Sequence, residues 1–512
     1  MPPGGPFSLY TGALRAIDFV VHCPCRRGTG GRCAAAVMSE KPLPALALVT
    51  LGCHKNLVDS ERMLACLALD GFAITADPDG ADVAIVNTCG FIDVARAESD
   101  RHIDALEAMK RDGRLGHVVV AGCMAQRYGR EILERHGDVD AVVGLAERDG
   151  MAEVCRRILD GRPVKRKRNR GRSKSPRKAG QAAVGRRPVV RVGPPPSAVP
   201  DDRERLRLTP RHYAYLRITE GCDNRCAYCA IPAIRGRLRS KPAARVLEEA
   251  EELVADGAKE LVVIGQDTTA YGHDRRAKGR GLAGLLADLC ERSGARWIRL
   301  MYAHPASIPA DLIDRLAAGL PLVPYLDLPI QHITTRILES MGRRVGRTGI
   351  ENLIDRLRAA VPHLAIRTSL IVGYPGETDD DFEHLVTFVE KVRFDHVGVF
   401  VYSPEEGTRA AGLPGRVAPE VGRQRWERLM AAAETLAHEA AAQHVGQTIE
   451  TIVDGADAGG RLTARHAGQA PEVDSAVLLP AGAAQAGEFC TVRVTGTDGY
   501  DLVADVVTDG DT

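Results

Sequence analysis

The chain has 512 residues, 45% of them apolar, and its 68 Lys and Arg against 67 Asp and Glu give a formal net charge of +1. That length predicts about three domains, and the balanced charge excludes a partner selected by global charge. No apolar run approaches the roughly 18 residues of a spanning helix, so no membrane association is expected. Thirteen cysteines, some in metal-type spacing, read as a reducing, cytoplasmic setting rather than a disulfide scaffold.

In chain order, residues 1–43 are expected to be a disordered extension. They open Gly- and Pro-rich, carry Cys23, Cys25 and Cys33, and have Arg15 and Asp18 where a secretory leader needs an apolar stretch. Met38 directly precedes the patterned region, so an over-long start is the alternative. Residues 44–160 alternate short apolar runs (Ala45 to Val49, Val83 to Val86, Val118 to Val120) with helical spacing, an α/β pattern. Residues 161–208 read as a linker. From Arg162 to Arg191 there are thirteen Lys or Arg and no acid, and Pro194-Pro195-Pro196 follows. Such a run builds no core, although it can contact ribosomal RNA loosely.

Residues 209–442 show six strand-then-helix repeats, with strands near Ala214–Ile218, Leu261–Ile264, Ile298–Met301, Tyr325–Leu328, Ala365–Val372 and Val397–Val401. Repeated βα units predict a parallel sheet with right-handed crossovers, curled into a partial (β/α)6 barrel whose chemistry sits at the C-terminal strand ends. A long helix over Pro419–Gln443 leads to residues 443–512. Their short β-type runs, punctuated by Gly and Asp, predict a small antiparallel β-barrel.

Two sets of cysteines carry the chemistry. Cys222, Cys226 and Cys229 are spaced C-x3-C-x2-C on a loop after the first barrel strand. Three thiolates can hold three irons of a [4Fe-4S] cluster and leave the fourth open to a small molecule. The alternative, half of a zinc knuckle, needs a fourth ligand, and no His or further Cys lies nearby. Cys53, Cys89 and Cys123 each follow a strand-like run and sit beside Gly. On three strands of one parallel sheet they would meet at its ligand edge and hold a second cluster; buried core thiols are the alternative.

These strings resemble the methylthiotransferases, a radical S-adenosylmethionine (SAM) family. The likeness covers residues 44–510 and includes LGCHKNLVDSERM (51–63), ITEGCDNRCAYCAIPAIRGRLRSKP (218–242), GQDTTAYG (265–272), YLDLPIQH (325–332), RTSLIVGYPGET (367–378) and APEVD (470–474). It implies an N-terminal iron–sulfur domain, a radical SAM core and a C-terminal TRAM domain, with two [4Fe-4S] clusters and SAM as cofactors. It further implies that the N-terminal cluster supplies sulfur, while SAM provides both the methyl group and, at the other cluster, the radical that activates the substrate carbon. Tyr228 stands at the family's aromatic position and is expected at the adenine; an ordinary packed Tyr is the alternative. Gln266 and Asp267 would face the SAM methionine or ribose, and the Gly373–Gly376 turn would approach the adenosine; solvated or structural turns are the alternatives. His304 and His332, near strand ends, are left outside the site.

The flanking strings sit closest to the branch that modifies an aspartate of small-subunit ribosomal protein number twelve. The runner-up is a tRNA adenosine methylthiotransferase, and a two-cluster electron carrier is the third reading. Expected partners are that basic ribosomal protein, a reductant such as flavodoxin or ferredoxin, and a sulfur donor. Residues 443–512 carry three basic against eleven acidic residues, so an acidic barrel surface is expected to repel phosphate and suit a basic protein.

Overall fold

The computed structural model describes residues 42–161, 188–275 and 281–507. The expected N-terminal extension with its three cysteines, most of the basic segment, and Asp509 and Asp511 lie outside the described residues. The chain divides into two compact units, one running to Pro194 and the other from Pro195 onward, the second also taking Phe91–Asp93.

The first unit is built on a six-stranded parallel sheet: β1 (Ala45–Thr50), β2 (Ala73–Thr75), β3 (Val83–Thr88), β4 (His117–Gly122), β5 (Ala141–Val143) and β6 (Val189–Arg191), in the order β2-β1-β3-β4-β5-β6. β3 is buried along its whole length, as a strand covered on both faces must be. Its unbroken apolar run is what made it legible. β6 is a departure from expectation. Residues 189–191 fall in the expected linker, yet they pair with β5 from Ala141↔Val189 to Val143↔Arg191, and Val189 is buried. Two valines beside an open sheet edge bury apolar area and satisfy backbone groups together, which overrides the basic composition around them.

In the second unit, β7 (Tyr213–Arg217) is followed by a short antiparallel pair, β8 (Thr219–Glu220) with β9 (Arg239–Ser240). Then come β10 (Glu260–Ile264), β11 (Trp297–Leu300), β12 (Leu322–Asp327), β13 (Ala365–Val372) and β14 (His396–Val401). The six long strands form one parallel sheet in the order β14-β13-β12-β11-β10-β7, the expected partial barrel. Helices Ala243–Ala255, Gly281–Arg292, Arg347–Ala360 and Asp379–Val392 pack on it through one core containing Leu216, Val263, Leu300, Leu326 and Leu370. Each such residue contributes about 1.5–3 kcal/mol by leaving water. Residues 195–208, also placed in the linker, belong to this unit. Asp202 and Arg205 are buried in it, with Arg205 donating to Glu249 at 2.9 Å.

The C-terminal barrel closes through β15 (Thr448–Ala456), β16 (Leu462–His466), β17 (Val477–Leu479), β18 (Phe489–Asp498) and β19 (Asp501–Val506), in the order β15-β16-β17-β19-β18. All pairings are antiparallel except β17 with β19, which is parallel. The barrel is docked on the partial barrel by polar groups. Arg465 pairs with Glu260 at 2.8 Å and with Asp454 at 2.6 Å. Arg367 and the Tyr325 hydroxyl meet Asp474 at 2.5 and 2.8 Å. Tyr213 and Tyr215 both donate to Glu472, at 2.6 and 2.9 Å. Trp297 stacks edge-on against Phe489 with ring centroids 4.9 Å apart.

This docking corrects the expectation of an acidic surface free for a partner. Of the nine acids described there, Glu450, Asp454, Glu472 and Asp474 bind the partial barrel. Asp457 and Asp498 hold Arg461, and Glu488 and Asp501 accept from backbone N–H groups. Asp505 remains as an exposed acid with no partner among the described residues. A tally of charges cannot see that acids docked on buried Arg are already neutralised.

Candidate active site

In the first unit, register brings the three predicted cysteines to one edge. β3 and β4 align Thr88 with Gly122, and β1 aligns Thr50 with Asn87, so Cys53, Cys89 and Cys123 each follow neighbouring strand ends. Gly52 lies against Cys89: a Cβ built on it would stand 2.9 Å from the Cys89 Cβ and 3.3 Å from its Sγ. Gly90 packs as closely on the backbone of Cys123 and Met124. Cys53 caps the helix His54–Leu69 and Cys123 begins the helix Cys123–Tyr128, where N-terminal partial positive charge favours thiolates. Asn56 braces the edge, donating to the Leu51 and Thr88 carbonyls at 3.0 Å each, while the Cys123 thiol lies 3.4 Å from its Oδ1. Asn87 keeps a buried Oδ1 with no hydrogen-bond partner. Cys53 and Cys89 are half-buried and Cys123 is buried, and a donor set following three neighbouring strand ends fits an iron–sulfur cluster better than it fits a set of core thiols.

In the second unit, Cys222, Cys226 and Cys229 lie on the loop between β8 and β9. The loop turns at Gly221 (φ +74°), where any Cβ would meet the Arg237 carbonyl oxygen at 2.1 Å. Cys222 N donates to the Gly236 carbonyl, Ala227 N to that of Met341 and Cys229 N to that of Cys226. Below the loop is a buried charge cage. Glu220 accepts from Arg217 at 2.8 Å, Arg235 at 3.1 Å and Gln266 at 2.9 Å; Asp202 accepts from Arg217 and pairs with Lys241 at 2.8 Å. Burial, then the neighbouring thiolates, push the Cys229 thiol up to about 12; burial and Asp267 contribute to raising Cys222 to about 11. A metal centre that takes up their charge would favour the thiolate form of both.

The other expected residues divide. Asp267 is buried and faces the loop, accepting from Asn224 at 2.6 Å and from Thr269 at 2.5 Å. Gln266 is held by Glu220, and its Oε1 is a buried acceptor with no partner. Tyr228 packs on Ala227, Ile337, Met341 and Tyr374, with its hydroxyl close to Cys226 and Arg343. The Gly373–Gly376 turn is placed by packing. A Cβ on Gly373 would meet the Gly422 Cα at 3.2 Å, Gly376 N donates to the Gly415 carbonyl, and Tyr374 N to Glu377. His304 and His332 use Nδ1 to accept from Ala306 N and Thr334 N, and burial holds them neutral, down to about 3 and about 4.

Sequence reasoning missed Arg343. It is buried, donates to the Pro329 carbonyl, and sets Nη1 3.9 Å from the Cys226 sulfur, with its Nε unpartnered. It sits in a basic stretch between two helices, and nothing in spacing separates it from solvated Arg344. Tyr302 (φ +62°) and Gln331 (φ +73°) follow β11 and β12 in left-handed backbone. Such strain costs about 1–3 kcal/mol per residue and is tolerated mainly where a site needs it. The orphaned Gln266 Oε1 and Arg343 Nε, together with three free thiols, fit an iron–sulfur cluster carrying a polar ligand.

Residues 45–144 match the uncharacterized protein family UPF0004, residues 216–389 the radical SAM superfamily and residues 445–507 the TRAM domain. A ribosomal protein uS12 methylthiotransferase RimO of Anaeromyxobacter sp. (strain Fw109-5) is 43% identical over 90% of this chain and 92% of its own length. The RimO of Trichlorobacter lovleyi is 41% identical over 92% of this chain and all of its own length, and that of Geobacter sulfurreducens 39% over 90% and 98%. Among solved structures, the radical SAM methyltransferase TsrM of Kitasatospora setae shares the fold, with a TM-score of 0.52 and 15% identity over 77% of this chain and 89% of its own. With two three-cysteine edges on the two expected α/β frameworks and this likeness along nearly the whole chain, the protein belongs to the RimO family of methylthiotransferases, within the radical SAM superfamily.

Proposed function

We propose that this chain is a radical SAM methylthiotransferase that adds a methylthio group to the β-carbon of an aspartate in ribosomal protein uS12. The observation that carries the chemistry is the pair of three-cysteine edges, one in each α/β unit. The substrate follows from relatives about 40% identical over about 90% of the chain, all described as uS12 methylthiotransferases.

Cys222, Cys226 and Cys229 would hold the radical SAM cluster, and Cys53, Cys89 and Cys123 the sulfur-supplying one. When bound, the two [4Fe-4S] clusters and SAM supply the electron, the sulfur and the methyl group. The chain's own residues bind and orient. Gly221 and the Glu220 cage fix the loop, Asp267 and Gln266 present carboxylate and amide oxygens beside it, and Tyr228 covers it with apolar surface. Arg343 brings a fixed positive charge to Cys226. A low-potential reductant such as flavodoxin or ferredoxin and a sulfur donor complete the reaction. Among the described residues no helix is long and apolar enough to cross a membrane, which is compatible with action on ribosomal particles in the cytoplasm.

The test is anaerobic reconstitution followed by incubation with dithionite, SAM and small ribosomal subunits. A mass increase of one methylthio group on uS12, with release of 5'-deoxyadenosine, is expected. Methylthiolation of tRNA with uS12 untouched would establish the runner-up instead.

A further inference from the structure

Four exposed guanidiniums, those of Arg225, Arg344, Arg409 and Arg416, lie around the cysteine loop of the second unit. None of the four forms an ion pair among the described residues. Three of them donate one hydrogen bond each, to a neutral acceptor: Arg344 to Asn224 Oδ1 at 3.2 Å, Arg409 to the Arg225 carbonyl at 2.7 Å, and Arg416 to the Ala411 carbonyl at 3.0 Å. Chain contacts tie them together. Ala410 N donates to the Ala227 carbonyl at 2.9 Å, and a Cβ on Gly342 would stand 2.7 Å from both the Arg225 carbonyl oxygen and the Arg409 guanidinium. The nearby acids do not cancel them: Asp223 is taken by Arg237 and the Leu238 N–H, and Asp267 and Glu405 are buried. Glu406 is the exposed acid of this stretch.

The C-terminal barrel offers the opposite. Arg465 is buried against Glu260 and Asp454, and Arg461 is paired with Asp457 and Asp498. Arg493 alone is exposed there with no partner among the described residues.

We propose that the arginine rim around Cys222–Cys229 is a docking surface for the phosphodiester backbone of RNA. This rests on the ribosomal reading above. Guanidinium forks with free N–H groups match phosphate oxygens. A rim of this charge does not attract a basic protein by itself, whereas it attracts phosphate.

The experiment is fluorescence anisotropy of a labelled A-form RNA hairpin with the reconstituted full-length protein across a potassium chloride series, without SAM or uS12. Each lost phosphate contact lowers the slope of log K against log salt by about 0.7–0.9. The R225Q/R344Q/R409Q/R416Q variant should therefore lose about 3 in slope, and the R409Q/R416Q pair, outside the cysteine loop, about half of that. R493Q should leave the slope unchanged. Iron content and absorbance serve as the control for an intact site. A wild-type slope in the R409Q/R416Q pair, or equal slope and affinity for a polyglutamate peptide, overturns the proposal. Because the binding assay contains no uS12, failure of uS12 modification would count against the proposed function and leave the rim standing.

Discussion

The two ends of the partial barrel in the second unit are both rich in arginine, and they use it differently. At the end facing the C-terminal barrel, Arg299 and Arg465 are buried, Arg367 is half-buried, and each meets a carboxylate: Glu260 for Arg299, Asp474 for Arg367, and Glu260 with Asp454 for Arg465. Burial alone would raise Glu260 and Asp474. The facing Arg465 and Arg299 in the first case, and His396 with Arg367 in the second, outweigh it and hold both carboxyls below their ordinary range. At the cysteine end, Arg343 is buried against a thiol, and four more guanidiniums are exposed without a carboxylate. A paired buried charge specifies how two domains fit together. A charge left unpaired at a ligand edge is available to something the chain does not itself contain.

The comparison breaks most completely at the cysteine end. Replacing Cys222, Cys226 and Cys229 with Ala should lower iron from about eight atoms per chain to about four, from two four-iron clusters, and abolish 5'-deoxyadenosine release. Replacing Cys53, Cys89 and Cys123 should lower iron equally yet leave some SAM cleavage. Iron analysis and chromatography decide, and undiminished iron in either variant removes that ligand set.

At the other end, R465M leaves Glu260 and Asp454 facing each other with less cation between them. A loss of about 3–5 kcal/mol is expected, read by chemical denaturation, and E260Q in the same chain should recover part of it. The carboxyls of Glu260, Asp454 and Asp474 are depressed in the folded state. Their contribution is therefore complete above the ordinary carboxylate range and lost as pH falls below about 4. Acid unfolding of D474N should show a shallower dependence there. Identical profiles would mean that this pairing adds nothing.

A smaller effect is expected for Arg343. A unit charge about 4 Å from a reducible group is worth up to ~4 kcal/mol at an effective dielectric near 20. In a chain with Cys53, Cys89 and Cys123 replaced, R343Q should lower the reduced fraction of the remaining cluster at fixed potential by roughly tenfold or more, and R343K should retain most of it. Electron paramagnetic resonance titration makes the measurement.

The smallest effect should come from the basic segment. Deleting residues 165–187 is expected to leave SAM cleavage unchanged and stability within about 0.5 kcal/mol. Extending the deletion through Arg191 removes β6 and should destabilise the first unit measurably. Equal stability of the two deletions would show that the edge strand is dispensable.

Most of the framework could be read before any coordinates. Ala365–Val372 and Pro419–Gln443 fall at the expected residues, and the other barrel strands within a few. Long periodic segments carry their own signal, since burying one face dictates the spacing of apolar residues. β16 carries little signal of its own because LTARH reads as polar: the charge of Arg465 is satisfied by Glu260, about two hundred residues away in sequence. β6 was missed because its valines sit at the end of a basic run and become a strand only beside β5.

The sequence by itself determined the two three-cysteine sets, the order of the domains, and the parallel strands that bring the first set to one edge, the second set sharing a single loop. These depend on local spacing and on the short reach of a strand-to-helix turn, which leaves few alternatives. Only the tertiary structure decided which charges are spent and which are free. Asp454, Glu472 and Asp474 count as acidic surface in a tally, yet they bind the partial barrel. Arg343 and Arg344 are indistinguishable as neighbours in sequence, yet one is buried against Cys226 and the other is exposed. Electrostatic pairing acts through space over a few ångströms between residues hundreds of positions apart, so its outcome is fixed only once the chain has folded.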